Sequence, residues 1–219
     1  MRLYKLLKAR HGNPRGQWSV WANRPKTNRE KEQIIIEAIL TQRTNWRNVE
    51  RAMANLKRAG AASINGSRRL SQKDWRRFEN LIKPAGFYKQ KAGYLWNLID
   101  FIKTKYGSIS KMAEEPIHKL RAELLSVKGV GPETADSILL YALEKPVFVI
   151  DEYTRRLLSL KLSAKGRYLP VRQEGASGGK IQKSKYEDLR ELFEASLPRN
   201  FKLYQDFHAL IVIDGKNKN

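Results

Sequence analysis

The 219-residue chain contains no cysteine. That excludes disulfides, thiolate metal sites and cysteine-held iron–sulfur clusters. Histidine is scarce as well: His11, His118 and His208 stand at unrelated positions, and no HExxH pattern occurs, so metal-ligand spacing is missing. No apolar run approaches the roughly 18 residues of a membrane span. The N-terminal MRLYKLLKARHG is basic but lacks the apolar core and small-residue cleavage site of a signal peptide. The expectation is a cytoplasmic, nucleoid-associated protein with no membrane partner. Acidic residues are also few, 22 against 43 lysines and arginines, for a net charge of +21. Such an excess attracts polyanions and releases their condensed counterions, which points to nucleic acid. The basic residues are spread over the chain and not gathered in one amphipathic helix, which argues against a membrane surface.

What is present is a globular composition, 41% hydrophobic, in a chain long enough for one domain or two small ones. Helical periodicity dominates. Arg29 to Leu40 places Ile34, Ile35, Ala38 and Ile39 toward one face, and Asn45 to Lys57 does the same with Val49, Ala52, Met53 and Leu56. Ser71 reads as the N-cap of a helix over 72–82, with Asp74 three residues on. Pro84-Ala85-Gly86 breaks the chain before a helix over 89–106 that turns Ala92, Leu95, Trp96, Ile99 and Ile102 inward. Shorter helices follow over 110–113 and 116–125, and later ones over 152–162, 186–195 and 203–213. Val147–Ile150 is too short to found a sheet, so the expected class is all-α. The glycine-bearing basic segment 165–185 reads as a surface loop, either a plain insertion or an arm for DNA.

The densest chemistry lies between Leu124 and Arg156. Lys128-Gly129-Val130-Gly131-Pro132 is a glycine turn between two helices. Gly129 and Gly131 can take positive φ and admit a phosphate close to the backbone. Pro132 suits the first position of the next helix, which carries Glu133 and Thr134. The apolar run Pro146–Ile150 then delivers Asp151 to the start of another helix. There an aspartate is a good N-cap, favoured in its ionised form by the helix dipole. Capping alone would account for it. A fixed carboxylate would also stabilise the oxocarbenium-like sugar formed when an N-glycosidic bond breaks.

In this order of motifs the chain resembles the helix-hairpin-helix DNA glycosylase superfamily that includes endonuclease III. Three further stretches carry the resemblance: Ala38-Ile39-Leu40-Thr41-Gln42-Arg43-Thr44, Ile82 to Ala92 (IKPAGFYKQKA) and Phe207-His208-Ala209-Leu210-Ile211-Val212. Together they span roughly residues 30–215.

The resemblance implies a two-lobed all-α fold with damaged double-stranded DNA bound across the cleft between the lobes. One lobe would cover 28–138; the other would join 1–27 to 139–219 and carry the catalytic Asp151. It implies that Lys128, Gly129, Val130, Gly131 and Thr134 contact DNA, with Gln42 the wedge that fills the gap left by an extruded base. The carbonyls of Leu125, Val127 and Val130 would hold a structural Na⁺ or K⁺. Bifunctional relatives carry a nucleophilic lysine two residues after the second hairpin glycine. Glu133 stands there instead and cannot form a Schiff base. With Trp46 just past the Thr-Gln segment, this looks most like the monofunctional 3-methyladenine glycosylases. Trp46, Trp18, Trp21 and Glu133 are the base-pocket candidates; an indole face favours a cationic alkylated purine. Cluster-bearing relatives continue past the final helix with four cysteines, and this chain shows none, so no iron–sulfur cofactor is expected. Uracil, hypoxanthine, mismatched thymine or an oxidised base, with or without lyase activity, stays open as substrate, and so does a non-catalytic DNA-binding module. The expected oligomeric state is a monomer.

Overall fold

The computed structural model describes residues 1–22, 25–163 and 186–217, with the side chains of 159–163 set aside. The segment 165–185, expected as a basic loop, lies outside the described residues. Every regular element among the described residues is helical, as the periodicity predicts. The chain divides into two compact units, Met1–Arg24 with Glu144–Asn219, and Pro25–Leu143.

The unit Pro25–Leu143 is built around α3 (Asn28–Leu40). Thr27 opens it with a capping box. The Thr27 hydroxyl accepts from the Glu30 N–H, and the Glu30 carboxylate accepts from the Thr27 N–H at 2.9 Å. Every residue from Ile34 to Leu40 is buried, so the second half of this helix is enclosed on all sides where the sequence suggested a single apolar face. α4 (Trp46–Arg58) is capped by Asn45 and buries Val49, Ala52, Met53 and Leu56 as expected.

The predicted start at Ser71 needs correcting. α5 (Ile64–Lys73) runs through Ser71, and Asp74 caps the next helix, α6 (Trp75–Ile82), by accepting from the Arg77 N–H at 2.9 Å. The Ser71 hydroxyl donates back to the Arg68 carbonyl at 2.9 Å, the mid-helix alternative open to serine. A single 3₁₀ turn (Lys83–Ala85) leads to α7 (Tyr88–Lys105), which buries Ala92, Leu95, Leu98, Ile99 and Ile102. Leu98 takes the place expected of Trp96, which is half-buried. α8 (Ile109–Glu114) and α9 (Ile117–Ser126) follow. α10 (Pro132–Ser137) then widens into a π turn over Ile138–Ala142, where the Leu143 N–H reaches the Ile138 carbonyl at 3.0 Å.

The other unit contains two helices that the basic N-terminus concealed, α1 (Arg2–His11) and the one-turn α2 (Trp18–Trp21). Only Leu3 and Leu7 of α1 are buried, too sparse a stripe among Arg2, Lys5, Lys8, Arg10 and His11 to read as periodicity. α11 (Glu152–Ser163), α12 (Tyr186–Ser196) and α13 (Phe201–Lys216) complete it. α1 is held to α13 by two buried carboxylates. Asp206 accepts from the Tyr4 hydroxyl at 2.8 Å and the Lys8 ammonium at 2.7 Å. Asp214 accepts from Arg10 at 2.8 Å and lies 2.9 Å from the His11 ring. The strap Val147–Ile150 is buried and forms no sheet. Two of its N–H groups go to side chains, Phe148 to Glu194 at 2.9 Å and Ile150 to the Tyr186 hydroxyl at 3.2 Å, while that of Val147 donates to the Lys145 carbonyl at 2.9 Å. The Phe148 ring stacks on Phe193 at 4.2 Å. Burying one such ring contributes about 1.5–3 kcal/mol, enough to fix where the strap ends and so where Asp151 begins.

Candidate active site and DNA-binding hairpin

Asp151 sits at the end of the buried strap, as the N-cap of α11. Its Oδ1 accepts from the Thr154 N–H at 2.7 Å, so the expected capping bond is made. Its Oδ2 lies 3.4 Å from Nε2 of His208 on α13, longer than a full hydrogen bond but within ion-pair range. The Asp151 side chain is 13% exposed and that of His208 5%; the carboxylate is sheltered and still reachable. Burial alone pushes the Asp151 carboxyl up. The charge and contact of His208, with the Thr154 N–H, outweigh burial and hold the group below the ordinary aspartate value. One oxygen is thus spent on the helix, and the other carries charge toward a polar neighbour.

Trp18 and Trp21 are buried in the same unit. Trp18 packs edge-on against the His208 ring at 6.0 Å and against Trp21 at 6.2 Å. Trp18 is therefore separated from Asp151 by His208, and Trp21 lies behind Trp18.

In the unit Pro25–Leu143, the glycine turn joins α9 to α10. Gly129 has φ 102, a conformation that favours glycine, and a Cβ there would run into the Tyr94 ring. Gly131 differs from expectation: its backbone is extended, φ −90 and ψ 177, and a Cβ would meet open space. Only the first glycine is required by backbone shape; the second leaves the approach to the turn clear. Among the described residues neither the Gly129 nor the Gly131 N–H has an acceptor within the chain, which leaves both for an anion.

Three side chains fix this turn. The Gln42 amide donates to the Gly129 carbonyl at 2.9 Å and to the Thr134 hydroxyl at 3.1 Å. The Asn97 amide donates to the Lys128 carbonyl at 3.1 Å. Arg121 of α9 grips the buried Asp136 of α10 through both oxygens, at 2.6 and 3.1 Å. Removing one partner of a buried pair of this kind costs about 3–5 kcal/mol.

The structure brings Gln42 and Thr134 onto the hairpin itself. Insertion of Gln42 into a duplex requires both of its bonds to break. Lys128 is exposed, Val130 buried, and Glu133 exposed on the first turn of α10, where the helix dipole favours its carboxylate. Trp46, at the first position of α4, is half-buried. Leu125 is exposed near the end of α9, and the Val127 carbonyl accepts the Val130 N–H at 3.0 Å. Neutral carbonyl oxygens of this kind suit a hard monovalent cation, since each keeps a lone pair.

Two residues went unnoticed in the sequence. Phe87 is 61% exposed and holds φ 46, a left-handed conformation rare outside glycine and clustered at functional positions. Its place between a glycine and a long helix, IKPAGFYKQKA, gives no period to betray exposure. Lys91 is 2% exposed, and its ammonium donates to the carbonyls of Leu40 and Ala85, each at 2.8 Å. Burial lowers it to about 8. One lysine in a chain of 43 basic residues carries no sequence signal of burial.

Residues 36–177 match the family described as HhH-GPD superfamily base excision DNA repair protein. A Methanocaldococcus jannaschii protein provisionally named a DNA repair glycosylase is 42% identical over 182 residues, 82% of this chain and 74% of that one. Endonuclease III of Thermotoga maritima is 27% identical over 135 residues, 61% of this chain and 58% of that one. The crystal structure of the H. pylori 3-methyladenine DNA glycosylase bound to 1,N6-ethenoadenine is similar with a TM-score of 0.74 and 26% identity, covering 100% of this chain and 97% of that one. No described helix is long and apolar enough to cross a membrane.

Proposed function

The chain belongs to the HhH-GPD superfamily of base excision DNA repair proteins and is a DNA glycosylase; within that activity we propose that it is monofunctional, releasing an alkylated purine such as 3-methyladenine with water as the nucleophile. The observation that carries this reading is the division of Asp151 between two tasks. Oδ1 is bound to the Thr154 N–H, while Oδ2, held ionised beside His208, offers negative charge.

The hairpin takes a backbone phosphate on the N–H groups of Gly129 and Gly131, and the net charge of +21 supplies the long-range attraction. A Na⁺ or K⁺ on the carbonyls of Leu125, Val127 and Val130 would add a positive charge beside that phosphate. Phe87, exposed on its strained turn, supplies an apolar side chain that can enter the base stack as the nucleotide turns out. The C1′–N bond then breaks heterolytically, and both electrons leave with the base. A quaternised purine leaves readily, so the protein has only to stabilise the sugar cation, and the Asp151 carboxylate does so. Water adds at C1′, gives its proton to solvent and leaves an abasic site. Glu133 stands where a Schiff-base lysine would be needed. Resemblance to a 3-methyladenine glycosylase over the full length of this chain supports the choice of an alkylated base, with Trp46, Trp18 and Trp21 the aromatic candidates for its recognition. One copy of the chain carries every part named, so a monomer suffices.

The test is a panel of duplexes bearing 1,N6-ethenoadenine, 7-methylguanine, hypoxanthine, uracil or 8-oxoguanine, scored for strand breaks with and without alkali. Breaks confined to the alkylated purines and seen only after alkali are expected. Breaks without alkali would establish lyase activity, and turnover of uracil or 8-oxoguanine alone would overturn the alkylated-base reading.

A further inference from the structure

Lys91 has no part in the chemistry above, yet its buried ammonium joins two segments that do. Leu40, whose carbonyl accepts one of its bonds, stands two residues before Gln42; Ala85, whose carbonyl accepts the other, stands two residues before Phe87. Gln42 in turn donates to the Gly129 carbonyl and the Thr134 hydroxyl of the hairpin. The unbroken path is thus hairpin, Gln42, Leu40, Lys91, Ala85, Phe87, within the unit Pro25–Leu143. Each of the two segments that Lys91 joins holds an uncommon backbone state: Arg43, next to Gln42, has φ 51, and Phe87 has φ 46. Such states persist only where the surroundings over-determine them.

We propose that Lys91 is a positioning residue that couples phosphate capture at the hairpin to insertion of Phe87 into the duplex. The inference rests on the reading of the hairpin as a phosphate site and of Phe87 as the inserting side chain. Both carbonyls belong to helix ends, the last residue of α3 and the last of the 3₁₀ turn, where no further backbone N–H continues the ladder. Lys91 satisfies them with one rigidly buried group, so the two tips cannot move independently without leaving a buried polar group unmatched. Loss of the proton does not release them, because a neutral amine keeps two N–H donors for two acceptors.

Lys91→Met keeps the length of the side chain and removes the donors. Three quantities separate positioning from simple structural support. The first is affinity for an undamaged duplex, which reports the hairpin. The second is the fluorescence rise of 2-aminopurine next to the contact point in that duplex, which reports insertion and needs no lesion. The third is single-turnover excision of 1,N6-ethenoadenine, either paired with thymine or unpaired opposite an abasic site. We expect undamaged-duplex affinity within about twofold of the native protein, loss of most of the 2-aminopurine signal, and excision at least tenfold slower from the paired duplex with little change from the unpaired one. Phe87→Ala, on an exposed side chain that folding does not need, should give the same pattern.

An equal loss in both duplexes, or an unchanged 2-aminopurine signal, overturns the coupling. If Lys91→Met does not fold, Phe87→Ala still decides, since full insertion without that ring leaves Lys91 nothing to position. If the native protein excises none of the lesions but the 2-aminopurine signal still depends on Lys91, the glycosylase reading has failed and this inference stands.

Discussion

The Oδ2 of Asp151 and the Nε2 of His208 face each other at 3.4 Å across the interior of one unit, joining the N-terminus of α11 to the middle of α13. Thr154 engages the other oxygen from within α11. The further titratable group coupled to Asp151 is Lys216, also on α13; Glu152, Arg155 and Arg156 follow Asp151 on its own helix. Burial favours the protonated acid, and His208 reverses that preference. The sign follows directly: with His208 present the carboxylate survives to lower pH, and without it protonation occurs at higher pH. In His208→Gln the acidic limb of the single-turnover pH profile should move to higher pH, with DNA affinity unchanged. His208→Lys, which supplies a fixed cation, should place the limb below that of the glutamine variant. A limb that stays in place in the glutamine variant would mean that His208 only fills space.

Asp151→Asn keeps an oxygen that can still accept from the Thr154 N–H, so α11 should keep its cap and the protein its melting temperature to within a few degrees. The charge is lost. Losing one preorganised stabilising group costs about 10²–10³ in rate or more. Base release should fall by at least that factor while duplex binding persists, measured by single-turnover excision and by titration of a labelled duplex. Native-like excision would end the assignment.

The two hairpin glycines should behave differently. Gly129→Ala meets a positive φ and the Tyr94 ring together, and should destabilise the protein by about 1–3 kcal/mol, visible as a lower denaturation midpoint. Gly131→Val adds its side chain in open space on extended backbone, so stability should hold. The bulk would stand where a phosphate must approach, and affinity for damaged and undamaged duplex alike should drop at least tenfold. Undiminished affinity in the stable valine variant would remove the phosphate from this turn.

Borohydride should trap no covalent adduct with lesion-bearing DNA. The amine whose lowered value, about 8, would best suit Schiff-base chemistry is Lys91, but it is 2% exposed and bound to two carbonyls. An efficient adduct mapped by peptide sequencing to Lys128 or Lys145 would show a nucleophile outside the hairpin position held by Glu133, and the monofunctional reading would then be wrong.

The sequence by itself determined much of the local structure. Its helical periodicity placed α3, α4, α7 and α9 to within a few residues, because apolar side chains repeating near 3.6 residues must share a face. The composition excluded cysteine chemistry outright, and the order of motifs around Thr41-Gln42, Pro84–Ala92, the glycine turn and Asp151 was sufficient for the family resemblance. Where local signals competed they misled. Ser71 and Asp74 are both capping residues, and only the packing of α5, with Ser67 and Ser71 buried, decided that the helix begins after Asp74.

Tertiary structure alone decided which polar groups meet. Nothing in residue spacing joins Gln42 to Gly129, Lys91 to Leu40 and Ala85, or His208 to Asp151, since each contact spans loops whose lengths carry no pairing information. A buried lysine reads like a surface one, and an exposed Phe87 like a core residue, because burial is a property of the whole packed unit. The charge state of Asp151 belongs to the same class: its chemical identity sets the ordinary value, and the balance of desolvation against His208 and the α11 N-terminus sets the real one.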